Sequence, residues 1–535
     1  MNLAEKIVFS ALKKLPKNEL EFSVLKRALV KQFPTSKGTP DKTDLLKAYH
    51  SLLRKKSIKT SPAMEKLLTR RSVRTLSGVT IVTSLVKPYP CPGECIYCPL
   101  DVRMPKSYLA DEPAASRALS LKFNPYEQMA RRLESIERNG HPTDKIELIV
   151  KGGTWNAYAL PYQYWFILQS FAAANGTKIK LKETSPFEKI KTELVKQQKI
   201  NEKSKHRIIG LTLETRPDSI SEKTLWQMRE QGCTRLEIGV QHTDDKILKI
   251  IKRGHTIEQA KKATELARNF GFKTDFHLMP QLPGATPKSD LKMLREVFSD
   301  PGLRPDMIKI YPCTVVKGSE LYDWLQQGKY HAYPTKDLVN IIKTFKSEVP
   351  RYVRISRLIR DIPGQHIEEG NRVTNLRQVI HEEMKNEGLV CRCLRCREAG
   401  HVDLTQIKDL TPKLFLEKYQ TAGGTEYFLS FEDKKRQVVF AFCRLRIVSL
   451  KNKTAPFPAY IRELHTYGQL IRIGKKGSQS SQHQGLGKKL IIEAEKICKK
   501  NKIKNLAVIS GVGVKDYYKK LGYKPDRTYL VKRWK

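Results

Sequence analysis

Val79-Thr-Ile-Val-Thr-Ser-Leu-Val-Lys-Pro-Tyr-Pro-Cys-Pro-Gly-Glu-Cys-Ile-Tyr-Cys-Pro99 joins an apolar run to three cysteines on one tight loop. The run Val79–Val86 is rich in β-branched residues and stops at Lys87-Pro88, so it reads as a strand that feeds the loop. Cys91, Cys95 and Cys98 then offer three thiolates in a CxxxCxxC pattern. A structural zinc or a ferredoxin-type cluster takes four protein ligands, and no fourth stands nearby. Three thiolates suit an iron–sulfur cluster that keeps one iron open for a ligand to be activated.

Working outward from this loop, apolar strands alternate with amphipathic helices from about 76 to 360. The strands expected are Val79–Val86, Ile146–Val150, Ile208–Leu213, Arg235–Val240, Thr274–Met279 and Met307–Tyr311. Helical stretches such as Ser221–Gln231 and Asp244–Arg253 end on Gly232 and Gly254, where helix-ending glycines belong. Repeated βα units predict an α/β fold with an incomplete parallel (β/α)6 barrel. Polar residues follow the strands: Gly152-Gly153-Thr154, Glu214-Thr-Arg216, Gln241, Pro280-Gln-Leu-Pro-Gly284 and Lys309-Ile-Tyr-Pro312. In a parallel barrel these positions share one face, the one that carries chemistry. The cysteine spacing resembles that of the radical S-adenosylmethionine (radical SAM) superfamily. That resemblance implies a [4Fe-4S] cluster on Cys91, Cys95 and Cys98, and Gly152, Gly153 and Thr154 at the amino group of the methionine moiety. Glu214, Arg216 and Gln241 become candidate contacts to its ribose and carboxylate.

From about 410 to 535 the pattern is rich in strands, with Tyr427–Phe431, Gln437–Ser449 and Tyr460–Tyr467, then a helix from about Gly485 to Lys500, strand Leu506–Ser510 and helix Lys515–Leu521. Gln482-His-Gln484-Gly485-Leu486-Gly487 lies between a strand and a helix, where free backbone N–H groups cradle a pyrophosphate. With Asp516-Tyr517-Tyr518-Lys-Lys-Leu-Gly-Tyr523 downstream, the region resembles a GCN5-related acetyltransferase-like α+β domain, which implies acetyl-CoA. Tyr517 and Tyr518 are the candidates to stand near the thioester sulfur. As helical neighbours they cannot both face the same way.

The 535 residues suggest several domains, and the formal net charge of +44 points to a polyanionic partner. Residues 1–75 read as a small helical module in which Lys and Arg outnumber Asp and Glu about three to one, ending in Arg70-Arg71-Ser-Val-Arg74. No apolar run is long enough to span a bilayer, and the N-terminus does not read as a secretory signal. Ten cysteines, two groups of them at metal-type spacing, argue for a reducing cytosol. The second group, Cys391-Arg-Cys393-Leu-Arg-Cys396, closes a linker-like stretch over 361–409 and is spaced for structural zinc. Its expected fourth ligand is Cys313, which ends a strand, with His401 and His381 as rivals.

Several stretches together resemble the family of the Elongator catalytic subunit: Lys106-Ser-Tyr108, Lys151-Gly-Gly-Thr-Trp155, Glu214-Thr-Arg-Pro-Asp218, Gly232-Cys-Thr-Arg-Leu-Glu-Ile-Gly-Val-Gln241, Arg253-Gly-His-Thr256, Arg360-Asp-Ile-Pro363 and Gly511-Val-Gly-Val514. The resemblance runs from about residue 75 to the end. It implies carboxymethylation of the wobble uridine (position 34) of tRNA at C5. S-adenosylmethionine would supply a 5′-deoxyadenosyl radical, and acetyl-CoA the two-carbon unit. The methyl C–H of a thioester resists side-chain bases, but an alkyl radical can abstract its hydrogen, and the carbon radical can add to the uracil C5–C6 bond. Thioester hydrolysis then frees CoA. Lys309 is a candidate to assist proton movement. The N-terminal module would hold the anticodon stem-loop by its phosphates, and an electron donor must reduce the cluster. One alternative is a protein lysine acetyltransferase with a structural cluster, in which Glu463 is the general base. Another is a non-catalytic tRNA-binding scaffold.

Overall fold

The computed structural model describes residues 1–33, 38–69, 77–467 and 485–534. Seven strands form the first sheet: β1 (Thr80–Leu85), β2 (Lys145–Lys151), β3 (Arg207–Thr215), β4 (Arg235–Gln241), β5 (Lys273–Leu278), β6 (Met307–Ile310) and β7 (Arg354–Arg357). They pair in that order, all parallel. Six of these are the expected strands. β7 is an addition that extends the sheet beyond the expected six.

The pleat of β4 explains how the sheet works. All seven of its residues are buried, as in parallel sheets covered on both faces. Leu236, Ile238 and Val240 belong to the large apolar core beneath the helices. Arg235, Glu237, Gly239 and Gln241 alternate with them and turn the other way, so the concave side carries charge. Gly232 and Gly254 take positive φ, +94° and +78°, as helix-ending glycines do.

The second sheet runs β8 (Lys413–Thr421), β9 (Gly424–Glu432), β10 (Val439–Val448), β11 (Ala459–Thr466), β12 (Asn505–Val508), β14 (Tyr529–Arg533) and β13 (Lys524–Asp526) in spatial order. It packs on the first, and one apolar core contains residues of both, among them Phe428, Phe442, Tyr460 and Tyr529. The approach is close: a Cβ on Gly511 would stand 1.9 Å from the Ile209 carbonyl oxygen, so only glycine fits there. Buried charges also cross the junction. Arg462 binds Asp306, and Arg444 Nη1 lies 3.6 Å from the same carboxylate.

The segment 361–409, expected to be a linker, is packed. It carries the helix Leu376–Asn386, and Leu376, Ile380, Met384, Cys391, Cys393 and Leu394 join the same core. The N-terminal helices α1 (Leu3–Lys14), α2 (Glu19–Gln32), α3 (Lys42–Arg54) and α4 (Pro62–Leu68) enclose a small core of their own. Asn2 and Asp41 cap α1 and α3 through reciprocal capping boxes. Arg70, Arg71 and Arg74 lie outside the described residues. Among the described residues no helix is long and apolar enough to cross a membrane.

Candidate active site

The cysteine loop follows β1, as expected, and the Cys91 and Cys95 thiols meet groups from other strand ends. Cys91 Sγ lies 3.5 Å from the Gly93 N–H and 3.9 Å from Thr154 Oγ1. Cys95 Sγ accepts from Arg253 Nη1 at 3.4 Å and lies 4.0 Å from Arg216 Nη1. Hydrogen bonding with Cys98, and then the Arg253 charge, hold the Cys95 thiol down to about 4, while Cys98 is pushed up. The two guanidinium groups give Cys95 an electropositive setting of the kind that makes a cysteine a ligand.

Around this loop stand the expected glycines and polar groups. Gly152 and Gly153 take φ of +139° and +89°. The Gly152 N–H and the Tyr108 hydroxyl donate to Glu214 Oε2 at 3.3 and 2.9 Å, and Lys151 Nζ is 3.6 Å from Oε1. Arg216 is engaged by Asp218 at 3.0 Å and by the Arg253 carbonyl at 2.6 Å. Gln241 Oε1 is buried with no partner among the described residues. Gly239 makes room for two of these groups. A Cβ there would stand 2.5 Å from Arg253 Nη2 and 2.9 Å from Gln241 Nε2.

Lys309 lies deeper. It is 4% exposed and ion-paired with Glu237, whose other partner is His277 Nε2 at 3.2 Å. Burial opposes both charges, yet the Lys309 ammonium keeps the Glu237 carboxyl well below its usual range, and Glu237 raises Lys309 in turn. Lys309 thus keeps its proton at neutral pH. That suits an electrostatic anchor better than the proton shuttle expected from sequence.

Most of these residues, though not Gly152, Asp218 or Lys309, line one cavity of about 980 Å³. Cys91, Cys95, Cys98, Thr154, Glu214, Arg216 and Gln241 are at one end. Ile81 and Thr83 on β1, with Ser77 just before it, and Arg354 and Ser356 on β7 also line it, so the cavity leaves through the open side of the half-barrel. At that exit Arg354 Nη1 lies 3.4 Å from Tyr467 Oη, and His465 Nε2 lies 3.0 Å from the Ser77 carbonyl oxygen. Two residues that line this exit, Arg354 and Ser77, therefore touch the end of β11.

β11 has two working faces, because side chains alternate along a strand. Glu463 and His465 face the first sheet, with Glu463 3.6 Å from Lys273 Nζ. Leu464 and Thr466 face Gly487. The place of a Cβ on Gly487 is 3.1 Å from Tyr517 Oη, 3.4 Å from Thr466 Oγ1 and 3.8 Å from Leu464 Cδ2. β11 pairs with β12 only at Tyr460 and Ile461, so the two strands part beyond that point. Gly485, in the left-handed conformation at φ +69°, opens the helix Leu486–Lys500, and Leu486 turns into the core. Gln482 and Gln484 lie outside the described residues.

Two sequence expectations need correction. Tyr518 is 6% exposed and packs among Cys443, Cys498 and Tyr523, whereas Tyr517 is 40% exposed and faces Gly487. Successive helical positions diverge by about 100°, so only one of the pair can line the site. Cys313 is not with the second cysteine group. It is fully buried beside Tyr330 in the apolar cluster that holds Cys95, and burial pushes its thiol up to about 12. Cys391, Cys393 and Cys396 bring their sulfurs within 4.8 Å of one another. His401 stands beside them, near enough for Cys393 to act on it electrostatically, whereas His381 is exposed.

Sequence reasoning gave no role to Lys106, Tyr108, Gly239, Arg253 or Arg360. Lys106 Nζ donates to the Gly93 carbonyl at 2.5 Å, and Arg360 bonds Glu112 at 3.0 Å with its guanidinium over the Tyr108 ring. All five lie in stretches quoted above for their resemblance, so the signal was present without a function.

The chain matches the Radical SAM superfamily over residues 89–297 and the Radical_SAM C-terminal domain over 305–386. It is 42% identical over 481 residues to the tRNA uridine(34) acetyltransferase of Methanocaldococcus infernus, covering 87% of this chain and 88% of that protein. It is 35% identical over 487 residues to Elongator complex protein 3 of Schizosaccharomyces pombe, covering 88% and 87%. The chain belongs to the Elongator complex protein 3 family. A solved archaeal member, Methanocaldococcus infernus Elp3 with an N-terminal deletion, superposes with a TM-score of 0.74 at 39% identity, covering 86% of this chain and all of that one. Membership in this radical SAM family implies a [4Fe-4S] cluster and S-adenosylmethionine, and Cys91, Cys95 and Cys98 with their cavity fit that pair.

Proposed function

We propose that this chain is a cytoplasmic enzyme that carboxymethylates wobble uridine-34 of tRNA at C5, using S-adenosylmethionine and acetyl-CoA. The relatives named tRNA uridine(34) acetyltransferase support the substrate. The observation that carries the reading is β11, one strand with Glu463 and His465 toward the radical SAM sheet and Leu464 and Thr466 toward Gly487 and Tyr517. Two cofactor sites separated by one strand suit a reaction that joins a thioester methyl to a base.

The residues divide the work. Cys91, Cys95 and Cys98 would hold a [4Fe-4S] cluster, and Gly152, Gly153, Thr154, Glu214 and Gln241 would bind S-adenosylmethionine. Bound there, that pair supplies hydrogen abstraction from an inert C–H bond. Arg253 and Arg216 keep positive charge beside Cys95. Gly485 and Gly487 offer backbone N–H groups for a pyrophosphate, and Tyr517 stands at the part of the site where a thioester would lie. Cys391, Cys393 and Cys396 would hold a structural zinc, with His401 as the fourth ligand. The basic N-terminal helices would hold the anticodon stem-loop through phosphate contacts, and an electron donor is required.

The alternative lysine acetyltransferase reading needs a base that titrates near neutrality. Burial works against ionising Glu463, but Lys273 and Arg444 hold it down to about 2, far too low to take a proton from an amine. The test uses reduced, cluster-reconstituted protein with tRNA, acetyl-CoA and S-adenosylmethionine. Carboxymethyluridine and 5′-deoxyadenosine should form together, and Cys95→Ala should abolish both. Acetylated lysine formed without the cluster would favour the alternative.

A further inference from the structure

Gln241 closes β4 in a conformation that residues with side chains rarely adopt. Its φ is +71°, and the His242 N–H donates to the Val240 carbonyl at 3.0 Å, so Gln241 is the centre of a γ-turn of the strained, positive-φ kind. Such strain persists only where the surroundings over-determine it. The neighbouring His242, 1% exposed, is held on one side, where its Nδ1 accepts the Asp244 N–H at 3.0 Å. That leaves the ring proton on Nε2, which lies 3.3 Å from Asp290 Oδ1 in a close contact without hydrogen-bond geometry.

Asp290, on the helix Pro287–Ser299, is fully buried and reaches a second loop as well. Its Oδ2 accepts the Gln281 N–H at 2.8 Å and the Tyr333 hydroxyl at 2.7 Å. Gln281, after β5, is also left-handed, at φ +66°. Its carbonyl accepts from Tyr330 Oη at 2.5 Å, and its Nε2 donates to the Tyr333 carbonyl at 2.6 Å. The Met279 N–H donates to the Gln241 carbonyl at 2.8 Å and ties the two loops together. One carboxylate therefore holds strained Gln281 directly and stands against His242, the neighbour of strained Gln241, at the ends of adjacent strands. At the far end of this chain, Gln241 lines the cavity with an orphaned Oε1. A buried acceptor without a donor is costly, and a ligand that brings an N–H or O–H relieves it.

We propose that Asp290 and His242 are positioning residues: they hold the γ-turn that aims the Gln241 amide into the cavity and so set the affinity for S-adenosylmethionine. This rests on the cofactor reading given above. A purely structural role predicts something different, and a double-mutant cycle separates the two.

The measurement is S-adenosylmethionine affinity by calorimetry on anaerobically reconstituted full-length protein, with iron content and melting temperature recorded for each variant. Asp290→Asn and Gln241→Ala should each weaken binding roughly 10-fold, as one lost hydrogen bond to the ligand does. The double variant should bind no worse than Gln241→Ala alone. His242→Gln keeps an acceptor and a donor and should stay within about 3-fold of the wild type, while His242→Leu should match Asp290→Asn. If Asp290→Asn folds poorly, the His242 pair carries the test. Unchanged affinity in Asp290→Asn, or losses that multiply in the double variant, would overturn the inference and leave the cofactor reading intact. An iron-loaded wild type that binds no S-adenosylmethionine would overturn both.

Discussion

The two cysteine triplets use the same number of thiols for opposite ends. Cys91, Cys95 and Cys98 lie on a loop at the mouth of a cavity; Cys95 and Cys98 meet each other, whereas Cys91 stands apart beside Thr154. Cys391, Cys393 and Cys396 converge within 4.8 Å of one another, and their segment is knitted into the core. Tetrahedral zinc with bonds of about 2.3 Å sets its sulfurs about 3.8 Å apart, so convergence is its signature. A cluster lets each thiolate bind its own iron, so its ligands have no need to close on a point. Among the described residues the first triplet is not one of the groups that close to 4.8 Å. Spacing in sequence marks both as metal sites. Spread and access to the cavity tell them apart.

The largest effect should come from Cys95→Ala. Iron content and 5′-deoxyadenosine formation should fall below detection, at least about 10³-fold, while zinc content stays unchanged. Loss of both metals together would break the distinction.

Cys393→Ala should do the converse. Zinc is lost, the cluster still reconstitutes, and the melting temperature drops by roughly 5–10 °C, because a structural metal contributes folding energy directly. Calorimetry and metal analysis check both parts.

Gly239→Ala sharpens the comparison from the side of the cavity. The new Cβ displaces Arg253 from its place beside Cys95. S-adenosylmethionine affinity should weaken about 10-fold with zinc and melting temperature nearly unchanged.

The smallest effect should come from His401→Ala. On the proposed reading His401 completes the zinc site, so its loss should lower zinc affinity in a chelator competition and leave iron content alone.

Much of this was legible in sequence. Six strands of the first sheet are bounded by apolar runs with turn residues behind them, and they stand within two residues of expectation. β7 was not legible, because Arg354-Ile-Ser-Arg357 is a short edge strand whose neighbours face a polar cavity; only Ile355 is fully buried. The 361–409 segment looked like a linker since its core residues are scattered singly among charges. The two exposed leucines of β8, Leu414 and Leu416, blur its alternation in the same way. Site residues at strand ends were visible through the rule that βα loops converge. Which of Tyr517 and Tyr518 turns to the site, and which thiols meet in space, depend on tertiary packing that spacing does not encode.

The account stands on an iron that the protein itself does not ligate, at Cys91, Cys95 and Cys98. The most direct measurement is electron paramagnetic resonance of the reduced, anaerobically reconstituted protein with and without S-adenosylmethionine. The account predicts a [4Fe-4S] signal that shifts when S-adenosylmethionine is added and is absent in Cys95→Ala. A cluster signal indifferent to S-adenosylmethionine, or zinc in place of iron at this triplet, would contradict it.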